Sequence, residues 1–442
     1  MQEVTECCHH AEPSTINGTS PNRRGFLQSA ATAAGSVALL TGAGIAADRV
    51  RAASASIPGW VPASGGTAKA VATANTFLSQ NGRLVGWEYA FGKIIDDYSG
   101  GVFNPYWGPL GAMVFHGGGH AATFDNSVVI LDFNDVTFKR LSIPTPSNKG
   151  ENWISTTGLA QKVDSAFNSS YCEYGDGQPG SGHTYDTLAI LPPADGGAPL
   201  GSLIRVSSFA VHVNLSRSTG WAHRFDFQSM AMRNGKWVRW SVNGPTNYLF
   251  PGACSAYDSR RKRFWWMAAL SYLPPMIRYL DVATQQQLET PYARTARLAP
   301  AADSGSMTLR YDPVRDILVL TCTLGGKLVL AFLRCASPEM GWVVPPLSAS
   351  IPAQSGASHA FDFVPEADKF VLLTGADNSA LYDIRAPQDP TLVWTVTRRP
   401  LVGVAIATAH IAGKRWSYAP AVKSFVWMAS SSSGVIAYRP FV

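Results

Sequence analysis

Two histidines sit beside glycine-rich turns, and around them are residue types that acid–base chemistry uses. Residues 115–120 read Phe-His-Gly-Gly-Gly-His, ending at His120, and residues 176–185 read Asp-Gly-Gln-Pro-Gly-Ser-Gly-His-Thr-Tyr, carrying Asp176, His183 and Tyr185. An imidazole titrates close to neutrality and can take a proton, a phenol can return one, and a guanidinium can hold a carboxylate. Proton abstraction beside a carboxylate needs this set, which points to acidic carbohydrate as substrate. The expected roles are His183 or His120 as base, Tyr185 as acid, and Arg205 or Arg217 as carboxylate clamp. Asp176, His212, Tyr248, His359 and Arg415 complete the residues expected to face a ligand. The glycines also admit a purely packing role, since glycine lets a backbone cross tightly between strands; His120 would then only bond a neighbouring loop.

Positioning these groups requires a folded scaffold, and the composition supplies one. Of 442 residues 46% are hydrophobic and only 15% are charged, ample for a large core and too apolar for general disorder. The formal charge of +6 is small for this length and scattered apart from residues 260–263 and 398–399, which argues against a nucleic-acid partner. Residues 20–28, Ser-Pro-Asn-Arg-Arg-Gly-Phe-Leu-Gln, resemble a twin-arginine export signal, followed by a weakly apolar run over 29–47 and small residues at 53–55. The expected organisation is a signal peptide over 1–55 and one domain over 56–442. The expected location is periplasmic or secreted, with no membrane attachment after signal removal. Export permits disulfides, and of Cys172, Cys254, Cys322 and Cys335 the pair Cys322/Cys335 is the best placed, on neighbouring strands. No CxxC or HExxH motif is present, so no metal or other cofactor is expected.

A repeat sets the fold class. Ser-Ala-Tyr-Asp at 255–258, Leu-Arg-Tyr-Asp at 309–312, His-Ala-Phe-Asp at 359–362 and Trp-Ser-Tyr-Ala at 416–419 each precede a polar turn and a second apolar strand. The aromatics Tyr257, Tyr311, Phe361 and Tyr418 thus recur about every 50 to 57 residues. Further strands ending in tryptophan-bearing segments follow each pair. Four antiparallel strands at this period, with almost no helical periodicity, predict an all-β propeller. The bookkeeping gives six four-stranded blades, over 94–143, 183–241, 252–293, 305–347, 356–401 and 412–442. The last is one strand short, and residues 57–64 are expected to fill the gap and close the ring. Seven blades stay open, because residues 65–93 have length for additional strands. The first end of each inner strand shares a face with the turn between strands two and three, so nearly all histidines after the signal map to one face. The opposite turns carry Arg260–Arg263, Val314–Asp316 and Glu366–Lys369.

Ala-Met-Val-Phe-His-Gly-Gly-Gly-His at 112–120, then Asn-Ser-Val-Val-Ile-Leu-Asp-Phe at 126–133 and Phe138, resemble a kelch repeat: a strand closing in a diglycine, an aliphatic strand ending in Asp, then an aromatic. With the 176–185 segment the chain also resembles exported bacterial kelch or galactose-oxidase-like propellers. That group has no settled activity, so the resemblance implies fold more than function. A copper radical oxidase of the galactose oxidase type needs a Tyr-His neighbour pair, which this sequence lacks. Two functional classes therefore lead, a carbohydrate-processing propeller, with uronate polysaccharide lysis as the reaction, and a propeller that binds a carbohydrate, another small polar ligand or a protein without catalysis; a metal-dependent oxidase, with His120 and His183 as ligands, ranks behind both. For the second, Tyr106, Trp107 and Trp221 fall in predicted loops where rings can stack on sugars.

Overall fold

Apolar strand residues flanked by turn-forming residues build six antiparallel sheets. The computed structural model describes residues 62, 64–72, 94–95, 99–117, 126–142, 173–174, 176–180, 182, 184–206, 208–212, 215–219, 221–230, 235–243, 253–267, 277–290, 307–324, 327–352, 359–406, 415–428 and 434–441. Blade 1 is formed by Gly100–Asn104, Ala112–His116, Val129–Asp132 and Thr137–Arg140, and blade 2 by Leu188–Leu191, Ser202–Arg205, His223–Asp226 and Trp237–Arg239. Blade 3 follows with Cys254–Asp258, Arg263–Met267, Ile277–Asp281 and Gln287–Glu289. Blade 5 has Ala360–Val364, Lys369–Thr374, Asp377–Arg385 and Thr395–Pro400. The inner strands pack on one another in a closed circuit of six, with blade 1 touching both blade 2 and blade 6. The fold is an all-β six-bladed propeller.

Blades 4 and 6 depart from the regular pattern. Blade 4 has three strands, Thr308–Asp312, Ile317–Leu324 and Lys327–Arg334, and its fourth shrinks to a single bridge between Phe332 and Val343, beside the expected Trp342. In blade 6, Trp416–Ala419, Ser424–Trp427 and Val435–Arg439 are completed by Thr67–Ala72, which pairs antiparallel to the last strand and closes the ring. Closure by an N-terminal strand was expected; the segment expected to supply it, 57–64, is corrected to Thr67–Ala72. The sequence Thr-Ala-Lys-Ala-Val-Ala has little intrinsic strand signal, and it becomes a strand because Val435–Arg439 offers an unpaired edge. Val402–Gly403 adds a short parallel strand outside it.

The middle strands read as continuous apolar runs because neighbouring blades cover both faces. Lys369–Thr374 is buried at all six positions. On one face, the turns after the inner strands of blades 3 to 6 share one geometry, with Lys262, Asp316, Asp368 and Lys423 all at positive φ, between 45° and 57°. Those side chains staple adjacent blades. Arg261 of blade 3 grips Asp316 of blade 4 through two bonds of 2.6 Å, and Arg315 of blade 4 grips Asp368 of blade 5 at 2.6 and 2.7 Å. The spacing within the repeat thus becomes a contact between repeats. In blade 5 the residue aligned with Tyr257, Tyr311 and Tyr418 is Phe363, which like them stands five residues before the positive-φ residue of its turn, and not the expected Phe361.

The cysteine expectation is also corrected. Cys254, Cys322 and Cys335 are not joined in disulfides, while Cys172 lies outside the described residues. Cys322 pairs with Val329 near one end of the blade 4 ladder, whereas Cys335 follows Arg334 at the other, opposite Ile317. Neighbouring strands were read correctly as such, yet five to six residues at about 3.3 Å each is too long for a disulfide.

Candidate functional site at the junction of blades 1 and 2

The second strand of blade 1 ends at His116 and the chain enters the glycine turn at Gly117. At that point it meets the segment leading into blade 2. A Cβ on Gly117, whose φ is 140°, would lie 2.8 Å from the Gly182 carbonyl oxygen, so the two backbones pass in direct contact. The Thr184 hydroxyl donates to the His116 carbonyl at 2.9 Å and accepts from the Gly100 amide at 2.9 Å. Gly100 itself rests on the Tyr185 carbonyl, and Asn126 donates to the Pro179 carbonyl at 3.0 Å. The described parts of the two segments picked out for chemistry are thus held together at several points.

Beneath the seam lies a buried polar network. Arg205, at the end of the second strand of blade 2, donates from Nη1 to the Gly180 carbonyl at 2.7 Å and to His116 Nε2 at 3.0 Å. Since a guanidinium only donates, Nε2 of His116 is the acceptor and Nδ1 carries the proton, directed to the Ser127 carbonyl at 3.3 Å. Burial, then the Arg205 charge, push His116 well below the ordinary histidine value and keep it neutral. Trp237 packs its ring 4.6 Å from the imidazole. Next to Arg205 in the ladder, His223 donates from Nε2 to Glu173 at 2.9 Å, and Arg239 meets the same carboxylate oxygen at 3.2 Å. Burial lowers the His223 pKa, partly offset by Glu173. Each of these groups fixes the course of the 173–184 segment over blade 2.

The expected site residues divide accordingly. Asp176 is exposed in a turn where it caps the Gln178 amide at 3.1 Å, with Gly177 at φ 79°. Tyr185 is buried, with its backbone at φ 42°. Arg205 is 2% exposed and its guanidinium is engaged by His116 and Gly180; the expected clamp is an internal strut. His359 is buried on Thr321 at 2.6 Å, its pKa lowered to about 4 chiefly by burial, and Arg415 is buried with Nη1 donating to the Ile95 carbonyl. His212 and Arg217 lie on a two-stranded hairpin, Ser208–His212 and Leu215–Thr219, inserted between strands two and three of blade 2. His120, His183 and Tyr248 lie outside the described residues. Trp107 is buried, donating to Asp132 at 2.8 Å, so it is a core residue and not a loop platform; Trp221 stacks with Arg239 at 5.3 Å.

Sequence reasoning passed over His116, Glu173 and Arg239. His116 was the legible one: a histidine inside an apolar strand immediately before three glycines needs a polar partner from another element. Among the described residues, the group of acids and thiols compact enough to hold a metal is Asp258, Asp316 and Cys335. There the Arg261 guanidinium lies between the two carboxylates, bonding Asp258 at 3.1 Å and Asp316 at 2.6 Å, which makes the cluster an ion-pair network.

No protein-family model and no curated protein matches the chain. Solved structures similar to it include an auxiliary nutrient binding protein from Bacteroides ovatus, at 12% identity and a TM-score of 0.40, covering 78% of this chain and 69% of that one. A periplasmic gluconolactonase of Pseudomonas aeruginosa aligns at 11% identity and a TM-score of 0.38, over 71% of this chain and 74% of the other. A TolB of Acinetobacter baumannii aligns at 12% identity and a TM-score of 0.29, over 74% and 76%. Among the described residues no helix is long and apolar enough to cross a membrane.

Proposed function

We propose that this chain is an exported, kelch-like propeller that processes acidic carbohydrate at the face above blades 1 and 2, by proton abstraction beside a uronate carboxylate. The observation that supports this reading is the contact of Gly117 with the Gly182 carbonyl. His183 stands between Gly182 and Thr184 in the sequence, and His120 three residues beyond Gly117, and this reading assigns both to that seam. The buried His116, Arg205 and Glu173 network holds that seam in a fixed course, as a catalytic constellation requires of its supporting groups. In this reading His183 or His120 takes the proton α to the carboxylate. The C–H electron pair becomes the C4=C5 double bond as the C4–O bond breaks, and the departing oxygen takes a proton from the protonated histidine or from water, leaving an unsaturated uronate with no net redox change and no cofactor. Since Arg205 is spent internally, the carboxylate clamp falls to Arg217 on the inserted hairpin. The twin-arginine segment supports delivery of the folded chain to the periplasm or beyond.

The test is a screen of uronate polysaccharides for new absorbance at about 235 nm, the mark of the unsaturated product. The expected result is product formation by the native protein and loss of at least about 100-fold in rate in His183→Ala. No product from any polyuronate, with binding retained and falling only gradually in His183→Ala, would assign the face to a non-catalytic binding propeller instead.

A further inference from the structure

The other face of the ring carries a cavity that the histidines do not touch. It runs along the propeller axis, holds about 400 Å³, within the roughly 300–1,000 Å³ of ligand sites, and is lined by the ends of all six inner strands. Five of those strands run directly into a proline, at Pro105, Pro192, Pro313, Pro365 and Pro420, so the strands stop together and leave a common rim. Below the rim the wall is aromatic: Tyr106, Tyr257, Tyr311, Phe363 and Tyr418. Three phenol hydroxyls are turned to acids of the rim, Tyr257 to Asp195 at 2.7 Å, Tyr311 to Asp316 at 3.0 Å and Tyr418 to Glu366, which fixes the rings and leaves their carbon surfaces to the cavity.

The inner end is closed by one arginine. Arg310 spans the axis, with Nε on Asp362 at 3.0 Å and Nη1 on Asp186 at 3.0 Å and on its own neighbour's carbonyl, that of Leu309, at 2.7 Å. The hydrogen bonds of Arg310 to described residues run from Nε and Nη1, and the residue lines the cavity, so Nη2 is the donor left for a ligand. One guanidinium between two carboxylates leaves a net negative charge, which disfavours an anionic ligand, while the pairing of both carboxylates with Arg310 leaves them less to offer a cation. A neutral ring with acceptor oxygens and apolar C–H faces meets both parts of the wall: hydroxyl or ring oxygen on Nη2, carbon faces on the tyrosines.

We propose that the axial cavity opposite the histidine face is a second ligand site, built for a neutral monosaccharide. The proposal does not rest on the uronate reading, which concerns the other face. Calorimetric titration of the full chain with glucose, galactose and mannose, and with glucuronate and galacturonate, tests it. At least one neutral hexose is expected to bind, and its uronate at least about tenfold more weakly, from the charge around Arg310. Ser417 is a small axial residue of the lining, and Ser417→Phe fills the cavity without removing a described hydrogen bond. That variant is expected to lose at least about tenfold in hexose affinity, whereas His183→Ala keeps native affinity. Ala256→Phe repeats the block from blade 3 should Ser417→Phe fail to fold. Absence of hexose binding, preference for the uronate, or native affinity in a folded blocked variant overturns the proposal. Loss of lyase activity in His183→Ala with hexose binding intact separates the two sites.

Discussion

Gly100→Ala is expected to cost more than about 3 kcal/mol, a large share of the about 5–15 kcal/mol by which folded proteins are stable. The added Cβ would sit 2.0 Å from the Tyr185 carbonyl oxygen and 3.1 Å from its carbon. Both obstacles are backbone, and neither can turn aside. Tyr185 is anchored on one side by Thr184, which bonds the Gly100 amide and the His116 carbonyl, and on the other by Asp186, whose amide donates to Ala253 of blade 3 at 3.1 Å. Relief of the clash therefore has to separate blade 1 from blade 2. Gly177→Ala is the control: its Cβ would meet nothing within 4 Å, and the cost is limited to the strain of φ 79°, about 1 kcal/mol. Denaturant midpoints of the two variants measure the difference; equal midpoints would mean that the seam is not tight.

Stability is expected to fall steeply as pH drops from about 6.5 toward about 4. His116, His223 and His359 are all buried, and the folded pKa of each is lowered, to about 4 for His359. In the unfolded chain these imidazoles take up protons near their ordinary value. Below that value the unfolded state therefore binds more protons than the native state, and each proton of difference lowers the unfolding free energy by about 1.4 kcal/mol per pH unit. The contribution is fully present above about pH 6.5 and is lost as pH falls toward the folded pKa. His359 alone accounts for a loss on the order of 3 kcal/mol over this window, and the other two act in the same direction. Unfolding free energies measured across this range give the slope, and His359→Gln should flatten it. A stability curve level from neutrality to pH of about 4.5 would show that the histidines are hydrated in the native state.

The propeller was legible because its repeat is carried by residues with a local job. Tyr257, Tyr311 and Tyr418 each precede a turn of fixed length, and that turn length fixes blade spacing. The same rule, applied to turn position in place of residue type, selects Phe363 over Phe361; two aromatics two residues apart made the alignment ambiguous. The closing strand Thr67–Ala72 was illegible for the opposite reason, since three small alanines pair only because a neighbouring edge is vacant. The side of the ring that carries the histidines was legible: His116 ends a strand, His223 begins one and His359 directly precedes one, all on the side opposite the Arg261 and Arg315 turns. Their burial was not, because it depends on Gly180, Glu173 and Thr321 arriving from elsewhere in the chain. The axial cavity has no linear signature, being assembled from one or two residues per blade.

Whether His120 and His183 serve one site above blades 1 and 2, as proposed, is decided by the rates of His120→Ala, His183→Ala and the double variant on a uronate polysaccharide, followed by product absorbance. Residues that act on one substrate as a unit are not additive: each single variant should lose at least about 100-fold, and the double variant only a few-fold more than the worse single. Native rates in both single variants, or no turnover by the native protein, would contradict the account.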